Sequence, residues 1–187
     1  MASGARLVMI DRDGVINEDS GEFIKSVAEW RPIRGSLEAI AALHRGGFRV
    51  AVVTNQSGIG RGLYDEATLG EIHTHMRERV RAAGGELAGI YYCPHLPDAG
   101  CECRKPKPGM FRALERDLGI SVVGAPYIGD RMSDIEAAEV VGALPMLVRT
   151  GTGAATEAIL GARRIPVFDD LAAAARSLLA GVFTEEG

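Results

Sequence analysis

Two carboxylates one residue apart, Asp11 and Asp13, end the apolar run Leu7–Ile10 in the stretch "LVMIDRDGVIN". Ionised side by side in a cleft, they would repel each other. A hard cation relieves that repulsion. Mg²⁺ takes oxygen ligands, few of them protein carboxylates, and leaves the remaining positions to water and substrate phosphate. An ionised carboxylate is also a competent nucleophile for phosphorus and would give an aspartyl-phosphate. A second carboxyl can protonate the leaving oxygen and later activate water. The other groups such chemistry needs are present. Asp130 in "GDRMSD" is a further carboxylate, Lys105 in "RKPKPG" a positive charge for phosphoryl oxygens, and Thr54 in "TNQSG" a hydroxyl. The loop after Thr54 runs toward a helix start, whose N–H groups suit an anion.

Each residue also has a purely structural explanation. Asp-x-Asp is common in loops. An EF-hand is excluded, because Gly14 falls at the wrong loop position and Val15 stands where a ligand should be. Thr54 could cap a helix, and Arg104, Lys105 and Lys107 could form a solvated basic patch. Asp130 and Asp134 could serve only a helix N-terminus.

The elements that must position these residues decide between the readings. Strand-like runs are Leu7–Ile10, Arg49–Thr54, Gly89–Cys93, Pro126–Ile128, Leu144–Val148 and Ile165–Phe168. Amphipathic stretches between them are Ser36–Arg45, Glu66–Ala83, Gly109–Leu118, Ser133–Val141 and Asp169–Leu179. Pro108 sits where a first helical turn begins, and Gly46-Gly47 follow a helix end. Short continuous apolar strands separated by helices predict an α/β fold with a doubly wound parallel sheet buried on both faces. In such sheets ligands bind beyond the carboxyl ends of the strands. Asp11 and Asp13, Thr54 to Ser57, Arg104-Lys105 and Asp130-Arg131 all follow strand ends. Four separate coincidences at one sheet edge do not explain that.

All three cysteines lie in "CPHLPDAGCEC". Cys93, His95, Cys101 and Cys103 together suit a closed tetrahedral zinc site. With no open ligand position, the metal would staple the loop and aim Arg104-Lys105 at the site. His73 and His75, two apart on a helix, are expected at the surface.

Bulk properties narrow the class. The chain has 187 residues, 47% hydrophobic and 25% charged, with a net charge of −4. A single domain over residues 1–187 is expected, with a fraying tail at about 183–187. The acidic balance argues against nucleic acid as a partner. No apolar run approaches the ~20 residues needed to span a bilayer, and the N-terminal apolar run is too short for a signal sequence. A cytoplasmic monomer without membrane partners is expected. "GIGRG" and "GTGAAT" both miss the dinucleotide-binding pattern, and no P-loop is present. A phosphoacceptor receiver would carry its Asp on a later strand and lack the cysteine loop. A non-enzymatic zinc protein would leave the Asp11, Asp13, Lys105 and Asp130 set without a purpose.

"DRDGVIN", "TNQSG", "RKPKPG" and "GDRMSD" resemble, in order, the four motifs of the phosphatase branch of the haloacid dehalogenase superfamily. The resemblance covers roughly residues 6–153. It implies a Rossmann-like fold of that type, here with no large cap domain. Asp11 would be the nucleophile and Asp13 the general acid/base. Asp11, the backbone carbonyl of Asp13, and Asp130 would hold Mg²⁺. Thr54 and Lys105 would hold the transferring phosphoryl group, and Gly14 would let the chain turn close to it. Asp19, Ser20, Gly21, Glu22, Asn55, Gln56, Ser57, Arg104 and Arg131 would contact substrate. The zinc loop is similar to those of two groups, the heptose 1,7-bisphosphate 7-phosphatases and the histidinol-phosphate phosphatases. "TNQSGIGRG", "GIYYCPH", "CRKPKPGM" and "LVRTGTG" look like the first group; the short cysteine spacing and "YIGDR" lean toward the second. Asp19-Ser20-Gly21-Glu22-Phe23 stands where heptose enzymes often carry His-Gly-Tyr. The expected substrate is a small phosphorylated sugar. Removal of the C7 phosphate of a heptose bisphosphate, in ADP-heptose and lipopolysaccharide core precursor synthesis, is the leading expectation. Histidinol phosphate is the alternative.

Overall fold

The computed structural model describes residues 6–181; the expected fraying at 183–187 lies outside them. Six strands form one sheet: β1 Arg6–Ile10, β2 Phe48–Asn55, β3 Leu87–Cys93, β4 Pro126–Gly129, β5 Leu144–Val148 and β6 Val167–Phe168. Their order is β3-β2-β1-β4-β5-β6, and every pairing is parallel. The order reverses between β1 and β4. A reversal of this kind opens a crevice at the carboxyl ends of the two strands, and those ends lead into Asp11 and Asp130.

The strands read as unbroken apolar runs because both faces are covered. Val8 and Ile10 point into a core with Ile40 and Leu43 of α1 (Ser36–Arg45), Ile72 and Met76 of α2 (Glu66–Ala82), and Leu171 and Leu178 of α6 (Leu171–Leu179). Leu7 and Met9 point the other way, onto Phe111 and Leu114 of α3 (Gly109–Leu118) and Ala137 and Ala138 of α4 (Met132–Val141). The period-two alternation of β1 therefore fixes which helices lie on which side.

Departures from the expected elements are local. Helix α6 begins at Leu171, not Asp169, because the Asp170 side chain accepts from the Ala173 N–H and so caps it. Strand β6 is only Val167–Phe168. A short helix, α5 (Gly153–Ala158), lies where no helix was expected. The two long connections at the carboxyl edge, residues 11–35 and 94–108, contain only one 3-10 turn, Val27–Glu29, among the described elements. No helix among the described residues is long and apolar enough to cross a membrane.

Candidate active site

Asp11 follows β1 and is held there by its own N–H, which donates to the Ile128 carbonyl on β4 at 2.9 Å. Lys105, buried, reaches it from the β3–α3 connection, with Nζ 3.1 Å from Asp11 Oδ1 and 2.7 Å from Asp134 Oδ1. The same ammonium donates to the Val53 carbonyl at 2.9 Å and the Tyr127 hydroxyl at 2.7 Å. Asn55 fixes the Lys105 backbone: its Oδ1 accepts from the Lys105 N–H at 3.0 Å. Burial would lower the Lys105 pKa, but Asp11 and Asp134 carry it above the ordinary value.

Three carboxylates, Asp11, Asp130 and Asp134, bring oxygens within 4.8 Å of one another. Burial pushes the Asp11 carboxyl up to about 8 against the pull of Lys105, with Asp134, Asp130 and Asp13 adding to it. Burial, then Asp134, raises Asp130 to about 6. Crowded, buried carboxylates with one ammonium between them call for a further cation. The hydrogen bonds say which oxygens remain for it. Asp134 Oδ2 accepts the N–H groups of Asp130 and Arg131, starting α4, and its Oδ1 meets Lys105. Asp130 Oδ2 accepts the N–H of Thr152 at 2.8 Å and its hydroxyl at 2.9 Å. Asp130 Oδ1 is the buried side-chain oxygen without any partner among the described residues. A free, buried carboxylate oxygen beside Asp11 suits Mg²⁺.

Asp13, partly buried, sits in a cage of donors. Arg12 Nη2 lies 2.8 Å from its Oδ1 and 3.0 Å from its Oδ2. Asn17 donates to Oδ1 at 2.9 Å, and Gln56 donates to Oδ2 at 2.8 Å. Trp30 in turn donates to Asn17, and Tyr64 to Gln56. Burial raises the Asp13 pKa, but the Arg12 charge and these hydrogen bonds outweigh it and hold the carboxyl below its ordinary value.

A cavity of about 450 Å³ opens above these groups. Of the residues expected to contact phosphate or substrate, Asp11, Asp13, Thr54 and Lys105 line it, with Asp19, Ser20, Gly21, Asn55, Ser57, Arg104 and Arg131. Gln56 is buried behind Asp13 and Thr54. Glu22 lines a different depression with Lys25 and Arg31. Arg61 also borders the cavity, 5.6 Å above the Phe23 ring. Asp19 pairs with Arg131 across the mouth.

The sequence reading missed Arg12, Tyr64 and Thr152, named Asp134 only for a helix N-terminus, and misplaced His73. His73 is buried against Arg12, and His75 packs edge-on to Trp30 at 5.5 Å. The signal for His73 was present: it falls four residues after Leu69 and three before Met76, on the buried stripe of α2.

Beside the cavity, Cys93, His95, Cys101 and Cys103 converge. Cys93 Sγ lies 3.7 Å from Cys101 Sγ, 3.2 Å from Cys103 Sγ and 3.5 Å from His95 Nδ1. Tetrahedral ligands around zinc stand roughly 3.5–3.8 Å apart, from Zn–S and Zn–N lengths of about 2.3 and 2.0 Å. The cluster could therefore hold a metal ion.

A family model described as "HAD-hyrolase-like" matches residues 102–174. A D-glycero-beta-D-manno-heptose-1,7-bisphosphate 7-phosphatase of Pseudomonas putida is 52% identical over 174 residues, 93% of this chain and 99% of that protein. The chain belongs to this heptose bisphosphatase family of the haloacid dehalogenase superfamily. The family's enzyme from Pseudomonas aeruginosa is 51% identical, covering 92% of this chain and 97% of that protein. The crystal structure of D,D-heptose 1,7-bisphosphate phosphatase from B. bronchiseptica, complexed with magnesium and phosphate, matches with a TM-score of 0.90 at 46% identity. It covers 94% of this chain and 99% of that one. The superfamily resemblance read from the four motifs is thus borne out, and these relatives belong to the heptose subgroup.

Proposed function

We propose that this chain is a magnesium-dependent phosphatase that removes the C7 phosphate of D-glycero-D-manno-heptose 1,7-bisphosphate, in ADP-heptose and lipopolysaccharide core precursor synthesis. The relatives' names specify the beta form, so the β anomer is the proposed substrate. The observation that carries the chemistry is the unpartnered Asp130 Oδ1 beside Asp11 at the sheet's switch point. Asp11, Asp130 and the Asp13 carbonyl hold Mg²⁺, which supplies charge for the phosphoryl oxygens and favours ionised Asp11. Asp11 attacks phosphorus. Lys105 and Thr54 hold the transferring oxygens. Asp13 rests ionised, the form that activates water, and a proton carried in by a phosphate monoanion gives the form that protonates the leaving sugar oxygen.

The C7 phosphate is on a primary alcohol and reaches down to Asp11. The remote C1 phosphate needs its own cation. Arg104 and Arg61 border the cavity outside the reacting centre, and a guanidinium pairs well with phosphate. Asp19, Ser20, Gly21, Ser57 and Arg131 contact the sugar. Asn55 and Gln56 serve through Lys105 and Asp13, and Glu22 serves the outer loop. Zinc occupies the Cys93, His95, Cys101 and Cys103 cluster and fixes the chain that presents Arg104 and Lys105. We read the chain as a cytoplasmic monomer.

The test is kcat/KM with Mg²⁺ on both anomers of the bisphosphate and on histidinol phosphate, whose cationic groups would meet Arg61 and Arg104 unfavourably. More efficient turnover of histidinol phosphate overturns the assignment. Arg104→Ala should reduce kcat/KM on the bisphosphate about tenfold or more, and on a monophosphate far less. Equal losses would place Arg104 on the transferring phosphate or the loop.

A further inference from the structure

Arg12 is wholly buried, and the chemistry above leaves it without a role. Its Nε and Nη2 both donate to Asp13, at 2.8 to 3.0 Å. Its remaining nitrogen, Nη1, lies 3.2 Å from His73 Nε2. A guanidinium only donates, so His73 Nε2 must accept and the ring is neutral. Burial and the Arg12 charge keep it so, holding the His73 pKa down at about 3. The ring stands edge-on to Tyr92 at 5.8 Å and is part of the rigid α2 stripe.

We infer that Arg12 is a positioning residue for the proton-transferring carboxylate of Asp13, and that His73 positions Arg12. Asp13 lies at the start of the long connection 11–35, yet Arg12 ties its carboxylate to α2. The body of the fold, not that loop, then sets the point where the proton is delivered. This rests on Asp13 being the acid/base group. In the first step an Asp11 oxygen bonds phosphorus, the bond to the sugar oxygen breaks, and the Asp13 proton goes to that oxygen. In the second, water bonds phosphorus, the Asp11–phosphorus bond breaks, and a water proton goes to Asp13. A sugar alkoxide needs that first proton to leave; p-nitrophenolate does not.

The experiment uses the full chain with Mg²⁺ and compares the bisphosphate with p-nitrophenyl phosphate. The variants are His73→Leu, which removes the acceptor, His73→Gln, which keeps an acceptor oxygen, and Arg12→Lys, which keeps the charge but loses the fork. His73→Leu should lower kcat on the bisphosphate by about tenfold to a hundredfold, part of the ~100- to 10,000-fold that acid–base catalysis supplies. KM should stay within about threefold. The rapid release of the first equivalent of p-nitrophenolate should be unchanged, His73→Gln should recover most of the rate, and Arg12→Lys should show the same leaving-group selectivity. Should His73→Leu not fold, His73→Gln and Arg12→Lys carry the comparison. Equal loss on both substrates, or no loss on the bisphosphate, overturns the inference. Asp13→Asn separates the two levels. If it hits both leaving groups equally in the first step, the acid role of Asp13 falls. If it discriminates between them and the His73 and Arg12 variants do not, only the positioning inference falls.

Discussion

Replacing Gly151 by Ala isolates what the "RTGTG" loop does for Asp130, the proposed Mg²⁺ ligand. Gly151 has φ +59°, and an added Cβ would stand 2.3 Å from Asp130 Oδ2 and 2.6 Å from Gly14 Cα. The left-handed backbone alone costs a side chain about 1–2 kcal/mol. The contact costs more in function. To restore an ordinary separation, the Asp130 carboxylate must shift by roughly 1 Å, a misplacement that can cost about a hundredfold in rate. That shift breaks the Thr152 hydrogen bonds that engage Oδ2 and turn Oδ1 toward the site. Loss of such supporting contacts weakens metal affinity by about 10- to 100-fold. Gly161→Ala is the control: its φ is +65°, but nothing lies within 4 Å of the new Cβ. Both variants should lose stability from the backbone, and Gly151→Ala more, from its overlap with Gly14 and Asp130, read by urea unfolding. Only Gly151→Ala should weaken Mn²⁺ binding, read by electron paramagnetic resonance, and need more Mg²⁺ for phosphate release. Wild-type metal affinity in a folded Gly151→Ala protein would refute the reasoning.

Other perturbations address other parts of the site. Asp11→Asn keeps the shape but removes the attacking charge, so phosphate release should fall to background; substantial turnover would rule out an aspartyl-phosphate. Freshly purified protein should contain one zinc per chain by metal analysis, and Cys101→Ser should lose it, lower the unfolding temperature and reduce activity through Arg104 and Lys105. His73 should make the fold acid-sensitive. Its pKa falls from 6.5 to about 3 on burial beside Arg12, so the unfolded chain takes up a proton below pH 6.5 that the folded chain refuses. Stability is lost as pH falls, by about 2 kcal/mol between pH 7 and 5 for this one group. His73→Gln should lack that part of the loss, so its urea midpoint relative to wild type should rise between pH 7 and 5; parallel curves would contradict it.

The sheet and the charged cluster at its edge were legible because a parallel strand is a directional signal. Once Leu7–Ile10 and Pro126–Ile128 are read as buried strands, their carboxyl ends must lie at one edge, and whatever follows them meets there. Asp11, Lys105 and Asp130 come together as a consequence of topology. The helix starts were less legible, because Asp169 and Asp170 offer the same capping chemistry and the backbone chooses one. Helix α5 was hidden because Gly153–Ala158 shows no apolar period; what holds it is the Thr156 hydroxyl donating to the Asp130 carbonyl at 2.7 Å, a tertiary contact.

The cage around Asp13 was illegible for a different reason. Arginine is almost never fully buried, so a sequence reading sends Arg12 to solvent by default. Its burial is tolerable only because every side of its guanidinium finds an acceptor, and one of those acceptors comes from α2, 61 residues away. The histidine was misplaced by the same default. His75, two residues on, looked like its partner, whereas helical spacing puts His73 with Leu69 and Met76. Polar residues on an apolar stripe are therefore informative in proportion to the cost of burying them. Here that cost is offset by tying the Asp13 carboxylate, close to Asp11, to the hydrophobic core, which ordinary loop chemistry could not do.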